Sequence, residues 1–263
     1  NINMKGFILA LQFFTRIPIN INIDFNEKNI KRAFYFLPLI GGLIAGIVLL
    51  PIYFLPQKYI AMSGFISLLL YLFLTGSIHL DGVGDTIDGF FSARKKEKIL
   101  EIMQDPRIGT YGTIGLNVFL LLRYINYSTI MPDAGLLILA GIISRLSGLT
   151  VVVFSKPAKD TGLGLIFHKS ASKFSFFFWL ILVCFLSLFT PEIAVFSKIQ
   201  GTFILAERLK YLLLPLTAFI LTFIVIRISY KKIGGSTGDV NGLIVELTEL
   251  AVLSTGFFIN VHL

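Results

Sequence analysis

Charge is scarce in this chain. Only 14% of its 263 residues are Asp, Glu, Lys or Arg, against 55% hydrophobic residues and a mean hydropathy of +0.83. A soluble domain carries about 25% charged residues, so a water-soluble globule is excluded and an integral membrane protein is expected. Cysteine is nearly absent. Cys184 stands alone in an apolar run, which excludes an internal disulfide and leaves a small core or lipid-facing residue. The three histidines are scattered and form no His/Cys ligand set. No Ser–His–Asp or Cys–His arrangement is legible, and the phosphate-loop pattern GxxxxGK(S/T) does not occur. The apolar run in MKGFILALQFF is short, and TRIPI rather than a small-residue cleavage site follows it.

What the chain does have is apolar length. Spans are expected at roughly 33–56, 59–79, 112–131, 134–154, 174–190, 211–229 and 240–260. Residues 4–17, with Lys5 and Arg16 at the ends and Phe7, Leu11 and Phe14 on one stripe, read as an interfacial helix. GGLIAG in the first span allows close helix contact. The expected fold is all-α: one integral membrane domain over 1–263, a polytopic bundle of about seven transmembrane helices. Of the 23 Lys and Arg, five fall in 1–32, five in 81–108, four in 155–173 and three in 227–232; four lie in the intervening segments and two, Arg123 and Arg145, within spans. That alternation places the N-terminus in the cytosol and the C-terminus outside. The net charge of +8 is therefore a topology signal, not a nucleic-acid signal, and it makes the cytosolic face attractive to membrane lipid and phosphate-bearing substrates.

The densest chemistry lies in HLDGVGDTIDGFFSARKKEKILEIMQDPRIGTYG, residues 79–112. Asp81, Asp85 and Asp88 sit at i, i+4 and i+7, one helix face; Glu101 and Asp105 repeat the i, i+4 spacing. A cytosolic, partly amphipathic helix is expected over 81–106, stopped by Pro106. Crowded carboxylates repel unless a cation sits among them, and an all-oxygen set suits Mg2+. The bland reading is an acidic loop between two membrane helices. His79, two residues before Asp81, is read either as an interfacial hydrogen-bonded residue or as a base beside the aspartates.

A second stripe opens the last helix. GGSTGD (234–239) is a Gly-rich turn whose amides suit a phosphate, although Asp239 could simply cap the helix. GTYGT (109–113) has the same ambiguity. Asp239, Gly242, Glu246 and Glu249 fall at i, i+3, i+7 and i+10. Ionisable groups inside a span cost at least about 2.5–3.5 kcal/mol, so they need a reason. Arg145 is the expected counter-charge, and a structural Arg–Glu lock between helices is the competing reading. Lys156, Lys159 and Lys169 are read as solvated lysines. Two carboxylate stripes, two Gly/Thr turns and several cations on one face fit metal-assisted phosphoryl transfer.

These segments, with GGSTGDVNGLIVELTEL, FFTRIP (13–18) and FxPLIG (36–41), resemble the cobalamin synthase family (adenosylcobinamide-GDP ribazoletransferase) over nearly the whole chain. The resemblance implies transfer from adenosylcobinamide-GDP to α-ribazole or its 5′-phosphate with release of GMP, Mg2+ as cofactor, and a bacterial inner membrane. It implies Asp81, Asp85 and Asp88 as metal ligands, with Glu101 and Asp105 secondary. His79, Asp85, Arg107, Arg145, Asp239 and Glu246 would be catalytic. Arg94, Gly109, Thr110, Tyr111, Gly235, Thr237 and Glu249 would bind substrate. A homo-oligomer is left open. Two other readings are a CDP-alcohol phosphotransferase, echoed by DTIDGFFSAR but with one extra residue and no downstream GxxxDxxxD, and a cation-coupled transporter, for which no inverted repeat is visible.

Overall fold

The structure is a computed structural model that describes residues 2–129, 134–161, 163–193 and 205–262. Among the described residues there are helices and no strand. In order they are α1 (Ile2–Phe14), α2 (Glu27–Phe54), α3 (Ile60–Thr75), α4 (Ile78–Phe91), α5 (Lys96–Ile102), α6 (Thr110–Thr129), α7 (Ala134–Phe154), α8 (Leu163–Ser170), α9 (Lys173–Ile193), α10 (Leu205–Lys210), α11 (Leu213–Ile233) and α12 (Gly238–His262). The end of the expected third span and most of the expected 191–210 loop, Lys198 included, lie outside the described residues.

Among the described residues six helices are long and apolar enough to cross a membrane: α2, α3 with the short turn before it, α7, α9, α11 and α12. The chain is thus a multi-pass membrane protein. α6, the remaining expected span, has 20 residues, about 30 Å of helix. Its buried face carries Arg123, Asn126 and Tyr127, which lowers its apolar character. α2 begins at Glu27, earlier than expected, because the Asn26 side chain accepts the Asn29 amide at 3.0 Å and caps it.

α7 is the central helix, buried on nearly every side between Gly135 and Val152. It packs on α2, α9, α11 and α12. The small residues of GGLIAG do what their size suggests: Gly41 of α2 meets Gly141 of α7 backbone to backbone, where a methyl on either would strike the other's carbonyl oxygen. α3, α9 and α11 are peripheral and turn Phe73, Phe174, Ile181 and Phe223 outward, a surface suited to lipid.

The acidic region departs from expectation. The second span ends at Thr75, not 79, because Gly76 and Ser77 both adopt left-handed backbone (φ 58° each) and turn the chain. α4 then packs between α6 and α12, with Leu80, Val83, Thr86 and Phe90 buried. The expected helix over 81–106 is in fact two. The chain reverses at Ser92–Lys95, with Ala93 at φ +53°, and α5 folds back so that Ile99 and Met103 cover Gly89 of α4. Two apolar side chains in a charged segment seek burial, and a continuous helix would leave them in solvent. The basic 155–173 segment also contains a helix, α8.

Candidate active site

Two polar assemblies lie along the contact of α4, α6, α7 and α12, one above the other. The first is acidic. Asp81, Asp85 and Asp88 project from α4, and Asp239 from the first turn of α12. α4 reaches α12 this closely because Gly82 rests on the Asp239 backbone; a Cβ at Gly82 would stand 2.7 Å from the Asp239 carbonyl oxygen. Gly242, one turn on, abuts the His79 carbonyl in the same way. The carboxylates sense one another: burial, then the negative charges of Asp81, Asp239 and Asp88, push the Asp85 carboxyl up to about 7. Asp85 of the second-to-third connection therefore lies within Coulombic reach of Asp239 of the terminal helix.

They are not equally available. Asp88 accepts the Gly109 amide at 2.6 Å and the Gly112 amide at 2.8 Å, so it caps the start of α6 from a neighbouring helix. GTYGT thus spends these amides on a protein carboxylate. Asp105 accepts from the Arg107 amide (3.0 Å) and its guanidinium (2.9 and 2.8 Å), and this partner holds its carboxyl well below the usual range. Glu101 is exposed and pairs with Lys98 at 2.6 Å. Arg94 is exposed, as are Gly109, Thr110 and Tyr111, with the Tyr111 ring 5.8 Å from Phe91. Among the described residues no three His, Cys, Asp or Glu side chains already cluster as a metal cage.

The Gly-rich turn beside Asp239 is built as a joint. Gly234 ends α11 in left-handed backbone (φ +79°). Ser236 donates its amide to the Lys156 carbonyl and accepts from the Ala158 amide, both at 2.8 Å, a short ladder that leaves no room for a side chain at Gly235. Thr237, not Asp239, caps α12: its hydroxyl accepts the Val240 amide at 3.3 Å and lies 3.3 Å from an Asp239 carboxylate oxygen.

The second assembly is a buried ion network. Arg123 of α6 donates to Glu246 at 2.6 Å, to Glu249 at 2.7 Å and to the Tyr127 hydroxyl at 2.8 Å. Its guanidinium lies 3.7 Å from the Tyr71 ring centroid, and the Tyr71 hydroxyl donates to Glu246 at 2.6 Å. Arg145 pairs with the other oxygen of Glu249 and with Ser144. Two cations and two anions, each 1–3% exposed at the side chain, cancel in a dry interior. Arg145 is a counter-charge as expected, but the cation shared by both glutamates is Arg123, which no motif flags. An arginine inside an apolar span was the signal that could have found it. Glu246 spends its charge on Arg123, and Glu249 spends its charge on Arg123 and Arg145. His79 belongs to this side: its ring stacks 6.4 Å from Phe14, and burial followed by the Arg145 charge pulls its pKa down to about 3, so the imidazole is neutral.

The comparisons with known proteins point to one family. A family model described as cobalamin-5-phosphate synthase matches residues 6–257. An adenosylcobinamide-GDP ribazoletransferase of Treponema denticola is 95% identical over 260 residues, 99% of this chain and 100% of that protein. A protein of the same name from Clostridium botulinum (strain Loch Maree / Type A3) is 39% identical over 256 residues, 95% of this chain and 96% of its own. One from Clostridium kluyveri is 34% identical over 254 residues, 95% of each. No solved structure matches.

Proposed function

The chain belongs to the cobalamin-5-phosphate synthase family, and we propose that it joins adenosylcobinamide-GDP to α-ribazole or its 5′-phosphate at the acidic site. The observation that carries this reading is the meeting of Asp81, Asp85 and Asp239 beside a Gly-rich turn. In the reaction a ribose hydroxyl oxygen bonds to the cobinamide-side phosphorus and the bond to the GMP oxygen breaks. GMP leaves with the electron pair, and the hydroxyl proton passes to a base.

Mg2+ fits the residues present. The donors are all oxygen, and the raised Asp85 carboxyl marks a site short of positive charge. Mg2+ needs only one or two protein carboxylates, with waters and substrate phosphates completing its shell. Asp81 and Asp85 would hold it with Asp239 close by, while Asp88, Glu101 and Asp105 are engaged elsewhere. Bound there, the ion would neutralise the diphosphate and polarise it. Asp88 keeps the α6 terminus docked on α4, and the Arg123 network ties α12 to α3, α6 and α7. The Lys and Arg distribution supports a bacterial inner membrane with this site on the cytosolic face, in contact with membrane lipid.

The test is turnover by the purified protein in lipid nanodiscs. Adenosylcobinamide-GDP plus α-ribazole should yield GMP and a joined corrinoid, and CDP-diacylglycerol should yield no CMP. CMP release without GMP would favour lipid phosphotransfer instead.

A further inference from the structure

The connection between α7 and α8 is fastened to the Gly-rich turn at more points than a loop needs. Ser155 and Ser236 share a hydrogen bond of 2.7 Å, and His168 of α8 reaches the same Ser236 hydroxyl with Nε2 at 3.2 Å. The Lys156 amide donates to the Tyr230 hydroxyl at 2.6 Å, and the Lys156–Ser236–Ala158 ladder closes the joint. Ser236, which these contacts share, is 3% exposed, while Lys156 lies at the surface. The next residue, Lys159, is half-buried and comes within Coulombic reach of Asp239. Across the turn, Lys96 of α5 sets its ammonium against Gly234. A lysine held near a carboxylate by such a clasp is not placed as a freely solvated side chain.

We propose that Lys159 contacts the phosphates of the nucleotide substrate, and that His168 is a positioning residue that holds the Lys159 loop to the Gly-rich turn through Ser236. The inference rests on the transferase reading above and adds a substrate contact to it. The ammonium offers three donors to the diphosphate that bridges cobinamide and guanosine. It comes within Coulombic reach of Asp239, so a diphosphate held at the acidic group meets a positive charge from this loop.

Steady-state GMP release in nanodiscs tests this. Lys159→Met should raise the KM for adenosylcobinamide-GDP, and the inhibition constant of GMP, by roughly tenfold, the worth of one charged hydrogen bond. The α-ribazole KM should stay within about twofold of wild type, and Lys159→Arg should recover most of the loss. His168→Ala should raise the donor KM with kcat less affected, and His168→Gln, which can still reach Ser236, should restore it. Lys169→Met, on the exposed end of α8, removes the same charge nearby and should change nothing. Thermal melts confirm that each variant is folded. A folded Lys159→Met with the wild-type donor KM, or an equal effect from Lys169→Met, would overturn the inference. Absence of GMP release from wild type would instead sink the transferase reading.

Discussion

Replacing Arg123 with Met should damage the protein far more than its distance from the aspartates suggests. The guanidinium makes three hydrogen bonds and joins Glu246 to Glu249. Without it, Glu246 keeps only the Tyr71 hydroxyl, Glu249 keeps Arg145 and Ser144, and one negative charge is left uncompensated. Removing one partner of a buried pair costs about 3–5 kcal/mol, a large part of a total stability of about 5–15 kcal/mol. The melting midpoint should fall on the order of 10 °C at this chain length. The assay is thermal melting in nanodiscs, followed by Trp179 fluorescence and by size-exclusion recovery. The double variant Arg123→Met with Glu246→Gln rebalances the charge, so it should melt above Arg123→Met alone, with a coupling of about 2 kcal/mol. An Arg123→Met protein that melts within about 2 °C of wild type, or a double variant showing the full sum of both losses, would refute the charge-balance reasoning.

Further outcomes follow from the glycines and the carboxylates. Gly82→Ala pushes a methyl against the Asp239 carbonyl oxygen, 2.7 Å away; it should cost about 1–3 kcal/mol and most of the turnover. Gly46→Ala, where nothing lies within 4 Å, should leave turnover intact and stabilise by about 0.5–1 kcal/mol. Asp88→Ala strands the Gly109 and Gly112 amides and should destabilise by about 1–2 kcal/mol in the same melts. For pH, the Asp85 carboxyl titrates near 7 rather than in the usual carboxylate range. In the metal-free protein its contribution to stability is present at low pH and lost as pH rises through 7. Mg2+ must displace that proton, so its apparent affinity, read by calorimetry at pH 6 and 8, should weaken below pH 7 by up to about tenfold per unit. Asp85→Asn should flatten that dependence.

The spans were legible because apolar runs of this length have one use, and the Gly41–Gly141 contact follows from residue size alone. The meeting of α4 with α12 was readable from the repeated carboxylate spacing. The breaks were harder. Gly76–Ser77 and Ser92–Lys95 sit in sequence that a continuous helix would also fit, and only the burial of Ile99 and Met103 against α4 decides between them. Arg123 stood out as an arginine within a span, but its partners lie 123 and 126 positions away in the chain, and nothing local says which glutamates it joins. Glu246 and Glu249 were legible as buried charges, and the Arg–Glu lock between helices was one of the two readings offered for them. Their stripe with Asp239 suggested one site, but the turns of α12 that carry them reach the buried network while Asp239 stays with the aspartates.

The most direct measurement is GMP release from adenosylcobinamide-GDP and α-ribazole as a function of Mg2+, for wild type and Asp85→Asn, each verified as folded. The expected result is saturable Mg2+ dependence in wild type and a loss of at least about a hundredfold in Asp85→Asn at every Mg2+ concentration. Turnover in Asp85→Asn near the wild-type rate, or wild-type turnover indifferent to Mg2+ removal, would contradict the placement of the chemistry at the meeting of α4 and α12.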